Sequence, residues 1–148
     1  MSTIRLAGPP DQAAIEAIVQ AAYAVYVPRI GRKPAPMEDD YAALIAARHV
    51  HVLEDGGEIL GLVVLVPEEG QMLLDNVAVL PDAHGRGYGH RLLAFAEQQA
   101  RAAGYAAIRL FTNAAMTENQ ARYRRLGYVE THRAGEDGFR RVFMSKRL

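Results

Sequence analysis

LLDNVAVLPDAHGRGYGHRLLAFAEQQARAA, from Leu73 to Ala103, lies at the centre of the chain and joins an apolar run to a long amphipathic segment. Its apolar run, residues 73–80, stops at Pro81, and a polar loop leads into Gly85-Arg86-Gly87-Tyr88-Gly89. A segment with apolar residues at helical spacing then runs to Gly104. Strand, glycine-rich turn and helix in that order gather backbone N–H groups at the positive end of a helix dipole, a seat for a phosphate-like anion. Small residues in the turn let the backbone approach such a ligand closely.

Upstream, residues 59–66 are nearly all apolar and predict a strand covered on both faces, and Pro67-Glu68-Glu69-Gly70 turns the chain into a strand over 71–80. Before them, Val50 and Val52 alternate with His49 and His51, and Asp55-Gly56-Gly57 is hairpin turn chemistry. At the N-terminus Ile4 and Leu6 mark a short first strand. Gly8-Pro9-Pro10-Asp11 starts a helix with Pro9 in the first position; Ile15, Ile18, Val19 and Ala22 keep its spacing, and Tyr23 and Tyr26 continue it toward Pro28. Three prolines and a glycine exclude regular helix over 28–37, and a second short helix is expected over 40–47, with Tyr41, Leu44 and Ile45 inward.

Downstream, Tyr88, Leu92, Leu93, Ala96, Ala100 and Ala103 form one face of the long helix, which Gly104 closes at a left-handed cap. A strand over 105–112 follows, with Ile108 and Leu110 inward. Thr117-Glu118-Asn119-Gln120 reads as a capping box opening a short helix that carries Ala121, Tyr123 and Leu126 and ends at Gly127. Final strands over 128–132 and 139–144 flank the turn Gly135-Glu136-Asp137-Gly138. The order β-α-α-β-β-β-α-β-α-β-β predicts an α/β (α+β) fold: a mixed, mostly antiparallel sheet of six to seven strands flanked by about four helices on both faces.

The length of 148 residues predicts one domain over 1–148. Lysine plus arginine balance aspartate plus glutamate at 17 each, so the global field of a nucleic-acid binder is missing. The absence of cysteine removes thiol nucleophiles and disulfides. His49 and His51 share a strand face without a carboxylate at ligand spacing, so no metal is expected. No apolar run approaches membrane-spanning length and the N-terminus lacks a signal pattern; the expectation is a cytoplasmic protein with no membrane partner.

The glycine turn fits neither common nucleotide pattern. Its spacing is G-x-G-x-G and not G-x-G-x-x-G, and no G-x-x-x-x-G-K-[ST] occurs. Val77-Ala78-Val79-Leu80-Pro81 followed by His84-Gly85-Arg86-Gly87-Tyr88-Gly89 resembles instead the acyl-CoA motif of the Gcn5-related N-acetyltransferase (GNAT) family, a V-x-P strand end and then [Q/R]-x-x-G-x-[G/A]. The segment from Asn119 to Val129 resembles that family's second signature, A-x-x-[F/Y]-Y-x-x-x-G-[F/Y]. The two motifs occur in the family's order with a strand between them.

The resemblance implies acetyl-CoA as co-substrate and transfer of its acetyl group to a primary amine of a small molecule, amino acid or peptide. It implies that backbone groups of Val77 and Val79, with Ala78 between, pair with the pantetheine arm. It places the pyrophosphate on the N–H groups of Gly85, Arg86, Gly87, Tyr88 and Gly89, flanked by His84 and His90. Asn119 would contact the pantetheine amide, Tyr123 would face the thioester sulfur, and Tyr23, Tyr26 and Arg29 would line the acceptor pocket. His84 departs from the motif, which has Gln or Arg there. Main-chain donors hold most of such an anion, so the departure concerns one side-chain contact.

Chemistry supports two of these positions independently. The phenol of Tyr123 is protonated at neutral pH and can donate to a leaving thiolate. An acceptor amine of pKa ~10.4 must lose a proton at a cost of roughly 4–5 kcal/mol at pH 7. Asp75, in step with Val77 and Val79, is the best carboxylate for that task and Glu118 the next. Without cysteine or a nucleophile-elbow serine, transfer is expected to be direct, in a ternary complex. The alternative is a non-catalytic acyl-CoA-binding or sensing module of the same fold. A homodimer is the base-rate expectation for assembly.

Overall fold

The computed structural model describes residues 1–136 and 138–148, without the side chain of Glu136. Strand β3 (Glu58–Pro67) is the spine of its sheet. Leu62 and Val64 are buried on one face of β3 and Val63 and Leu65 on the other, which is why this run is continuously apolar. β2 (Val50–Asp55) and β4 (Met72–Val79) flank it antiparallel. With β1 (Ser2–Leu6), β5 (Ala107–Asn113), β6 (Val129–Glu136) and β7 (Phe139–Arg147), the order is β1-β2-β3-β4-β5-β7-β6. Among the described residues β4 and β5 form the parallel pair and every other neighbour is antiparallel, as the element order predicted.

Helices cover both faces. α1 (Gln12–Tyr23) and α3 (Tyr41–Ala46) bury Ile15, Ile18, Val19 and Ile45 against Val50, Val52, Leu62 and Val64. On the other face α4 (Tyr88–Ala102) sets Leu92, Leu93, Ala96 and Ala100 on Val63, Leu65, Leu74 and Ile108, and α5 (Thr117–Arg125) adds Tyr123 to that cluster. Each fully buried leucine or isoleucine contributes about 1.5–3 kcal/mol. No helix of the described residues is long and apolar enough to cross a membrane.

Four local expectations are corrected. The first helix ends at Tyr23, and a separate α2 (Tyr26–Ile30) follows. Pro28 is the third residue of α2, where a backbone N–H has no intrahelical acceptor, so the helix tolerates it. Irregular chain begins at Gly31 and contains a 3-10 turn over Ala35–Glu38. Thr117 does not cap α5: it is the first helical residue, Met116 precedes it, and no side chain caps the end. The buried Gln120 amide turns inward and donates to the carbonyls of Asn113 (3.4 Å) and Ala114 (3.1 Å), because a buried amide must find partners and these lie beneath it. Ala103 is exposed beyond the end of α4. The turn expected over 135–138 lies partly outside the described residues.

Candidate active site

The site begins where β4 leaves β5. Their parallel pairing runs from Met72↔Ile108 to Leu74↔Leu110 and stops. On the other side of β4 the register passes from Leu65↔Leu74 to Val64↔Asn76, so Asp75 is an extra residue, a β-bulge. A bulge bends its strand and raises its twist, and β4 beyond Asp75 stands apart from β5. The Leu80 N–H bonds to the Leu60 carbonyl on β3 (2.9 Å). By antiparallel alternation the main-chain groups of Ala78 and Asn76 also face β3, and those of Val77 and Val79 face the opening.

A cleft of about 450 Å³ fills the glycine-turn side of that opening. Val77, Ala78, Val79, His84, Gly85, Gly87, Tyr88, Gly89, His90 and Asn119 line it, together with Tyr23 and Tyr26. Gly85 (φ +84°) and Gly87 (φ +80°) take left-handed conformations that other residues resist, and a Cβ on either would point into open space. The first bond of α4 joins Arg91 N to Gly87 O, which leaves the N–H groups of Tyr88, Gly89 and His90 for a ligand. The Tyr88 hydroxyl donates to Asp55 (2.5 Å) and pins this helix end to β2. The residues present therefore fit a pyrophosphate. His84 Nε2 lies 3.3 Å from the Val79 carbonyl, bridging the turn to the strand edge.

Arg86, expected to offer its backbone N–H, is exposed and is not among the lining residues. One expected contact lies elsewhere. Arg29 lines neither pocket; Glu118 holds its guanidinium at 2.8 Å, and that hydrogen bond keeps the Glu118 carboxyl below the usual carboxylate range, a poor base. Tyr26 belongs to the larger cleft and not to the pocket beyond it. Arg122 and Arg125 of α5 join the cleft wall. Neither was among the expected site residues, although their i, i+3 spacing within the second motif puts two cations on one helix face.

A second pocket, about 60 Å³, shares Tyr23, Val77 and Asn119 with the cleft as wall residues. Asp75, Asn76, Tyr123, Phe111, Phe139, Arg141 and residues 34–36 surround it. The Tyr23 hydroxyl donates to Asn76 Oδ1 (2.5 Å), with the Val77 carbonyl also near (3.3 Å). Asn76 Nδ2 donates to the Tyr41 hydroxyl (3.1 Å), which donates to the Pro36 carbonyl (2.6 Å). This chain of bonds ties the pocket's loop wall to β4 through the expected inward Tyr41 and through Asn76, which was not among the expected site residues. Burial pushes the Tyr123 phenol up to about 12, and its ring sits edge-on to Tyr128 at 5.8 Å. Burial also raises the Asp75 pKa, against the opposing charges of Arg141, His49 and Arg109.

Past Leu74 this edge of β4 is no longer paired with β5, and it lies between the anion seat and a pocket with a carboxylate and a phenol. A family model described as an acetyltransferase (GNAT) domain matches residues 46–130, more than half of the chain. The chain belongs to the GNAT family. No curated protein sequence matches it. Solved structures resemble this GNAT chain over its whole length. The ribosomal-protein-S18-alanine N-acetyltransferase from Escherichia coli is 23% identical with a TM-score of 0.80, covering 99% of this chain and 94% of that one. PaiA N-acetyltransferase from Thermoplasma acidophilum, in complex with coenzyme A, is 13% identical with a TM-score of 0.82, covering 100% and 99%. A GNAT family acetyltransferase from Elizabethkingia anophelis with acetyl-CoA bound is 17% identical with a TM-score of 0.73, covering 99% and 98%. At these identities the likeness establishes the fold, and the GNAT sheet is thereby common to all four.

Proposed function

We propose that residues 1–148 form one N-acetyltransferase domain that moves the acetyl group of acetyl-CoA directly to a primary amine in a ternary complex. What supports this reading is that Tyr23, Val77 and Asn119 line both a cleft with an anion seat and a pocket holding Asp75 and Tyr123, and so form the neck between them. Main-chain N–H groups around Gly85 and Gly87 bind the pyrophosphate, assisted by the field of α4 and the charges of Arg122 and Arg125. Val77 and Val79 present their main-chain groups to the pantetheine, which lies along β4 as an added strand would. The thioester then reaches the neck.

The acceptor enters from the smaller pocket. Asp75, made more basic by burial, takes one proton from the ammonium. The freed nitrogen attacks the thioester carbonyl, the C–S bond breaks, and the second nitrogen proton ends on sulfur as free thiol. Tyr123 serves the leaving sulfur. A phenol at about 12 keeps its proton against a thiolate whose ordinary pKa is ~8.5, so Tyr123 contributes a hydrogen bond and not a full proton transfer. A hydrogen bond to a charged group is worth roughly 1.5–3 kcal/mol.

Two steps test the reading. Acetyl-CoA at about 100 times its Kd should stabilise the fold by about 2.7 kcal/mol in thermal melts. An amine library should then give amine-dependent thiol release. Binding without release from any amine would favour the non-catalytic module.

A further inference from the structure

The small pocket carries both signs of charge. Asp75 lines it from the bulge in β4, and Arg141 lines it from β7. The Arg141 guanidinium lies over two rings that also line the pocket, 4.7 Å from the Phe111 centroid and 5.7 Å from that of Phe139. Phe111 is itself packed on Phe143, with ring centroids 5.6 Å apart. The cation is thus held by rings on adjacent strands. Residues 34–36 also line the pocket, and Pro36 is held there through Tyr41 and Asn76. A space of about 60 Å³ holds on the order of four water-sized groups. A ligand that meets both charges inside it therefore carries its own two charges only a few bonds apart.

Resting on the transferase reading above, we propose that the acceptor is a small zwitterionic amine, an amino acid or short amino-carboxylate, with Asp75 facing its amine and Arg141 binding its carboxylate. A guanidinium has five N–H donors in a planar fork, so Arg141 can hold a carboxylate in addition to partners within the chain. A peptide N-terminus has no free carboxylate so close to its amine, and a polyamine has none at all.

Initial rates of thiol release at saturating acetyl-CoA, measured with matched sets of a free amino acid, its amide and its decarboxylated amine, test the assignment. The free acid should exceed the amide by roughly tenfold or more in kcat/KM, and Arg141→Gln should erase that ratio, chiefly through KM. Arg141→Lys should restore part of it by keeping charge without the fork. Equal use of acid and amide by the unaltered protein, or better use of peptide N-termini, would overturn the zwitterion assignment and leave the transferase reading standing. Absence of thiol release with every amine would remove the transferase reading, and with it this one. Should Arg141→Gln fail to fold, as judged by its acetyl-CoA thermal shift, the acid-to-amide ratio of the unaltered protein decides alone.

Discussion

The Tyr23 hydroxyl, at the end of α1, donates a 2.5 Å hydrogen bond to Asn76 Oδ1 on β4, just past the bulge that opens the sheet. Asn76 is only 4% exposed, and its amide also supports Tyr41. Asn76→Ala leaves two phenols short of a partner beside the neck. The loss should be about 1–3 kcal/mol, seen as a fall in Tm of roughly 2–4 °C per kcal/mol for a chain of this size. Tyr23→Phe, which removes only one of these bonds, should cost less.

Tyr123→Phe keeps the ring that packs against Tyr128 and removes the hydroxyl. Acetyl-CoA affinity should be retained while turnover falls by about tenfold to a hundredfold, the worth of one hydrogen bond to a developing thiolate. Titration calorimetry and initial rates separate the two. A loss of affinity equal to the loss of rate would assign Tyr123 to packing alone.

Asp75→Asn should affect stability and activity in opposite directions. Burial holds the folded pKa of Asp75 above its unfolded value, so the folded state retains the extra proton. The stability linked to that proton is fully present below the ordinary carboxylate pKa of about 3.9 and is lost as pH rises through the raised value. Asp75→Asn should therefore melt higher than the unaltered protein at neutral pH, with the gap closing below about pH 4. Its kcat/KM should fall roughly a hundredfold at pH 7 and recover toward about pH 9–10, where the free amine becomes abundant.

Gly87 and Gly70 separate strain from ligand contact. Both have left-handed φ, +80° and +81°, with open space where a Cβ would point. Alanine at either should cost about 1–2 kcal/mol of stability. Gly87→Ala should also weaken acetyl-CoA binding, because its Cβ enters the anion seat at the start of α4. Gly70→Ala, in the distant β3–β4 turn, should bind acetyl-CoA normally.

Features set by local chemistry were legible in the sequence. Gly104, with φ +84° just past α4, follows directly from the sterics of a left-handed cap, and the apolar run of β3 follows from burial on both faces. The parity of Asp75 with Val77 and Val79 also holds, all three being intermediate in burial while Leu74, Asn76 and Ala78 between and before them are buried. Features that depend on distant chain were not legible. The bulge at Asp75 is a register shift between two strands, and nothing in either strand alone encodes it. The capping box at Thr117 lost to carbonyls that only the folded loop brings under Gln120. Arg29 looked available for a ligand until folding placed Glu118 beside it, 89 residues along the chain.

Direct transfer across the neck at Tyr23, Val77 and Asn119 leaves no acetyl group on the protein at any stage. Intact-protein mass spectrometry with acetyl-CoA alone, followed by product mass and thiol counts once an amino-acid library is added, tests it most directly. The protein mass should stay unmodified, and one thiol should then be released for each acetylated amine. An acetylated protein that passes its acetyl group on, or acetyl-CoA binding with no acetylated amine from any acceptor, would contradict it.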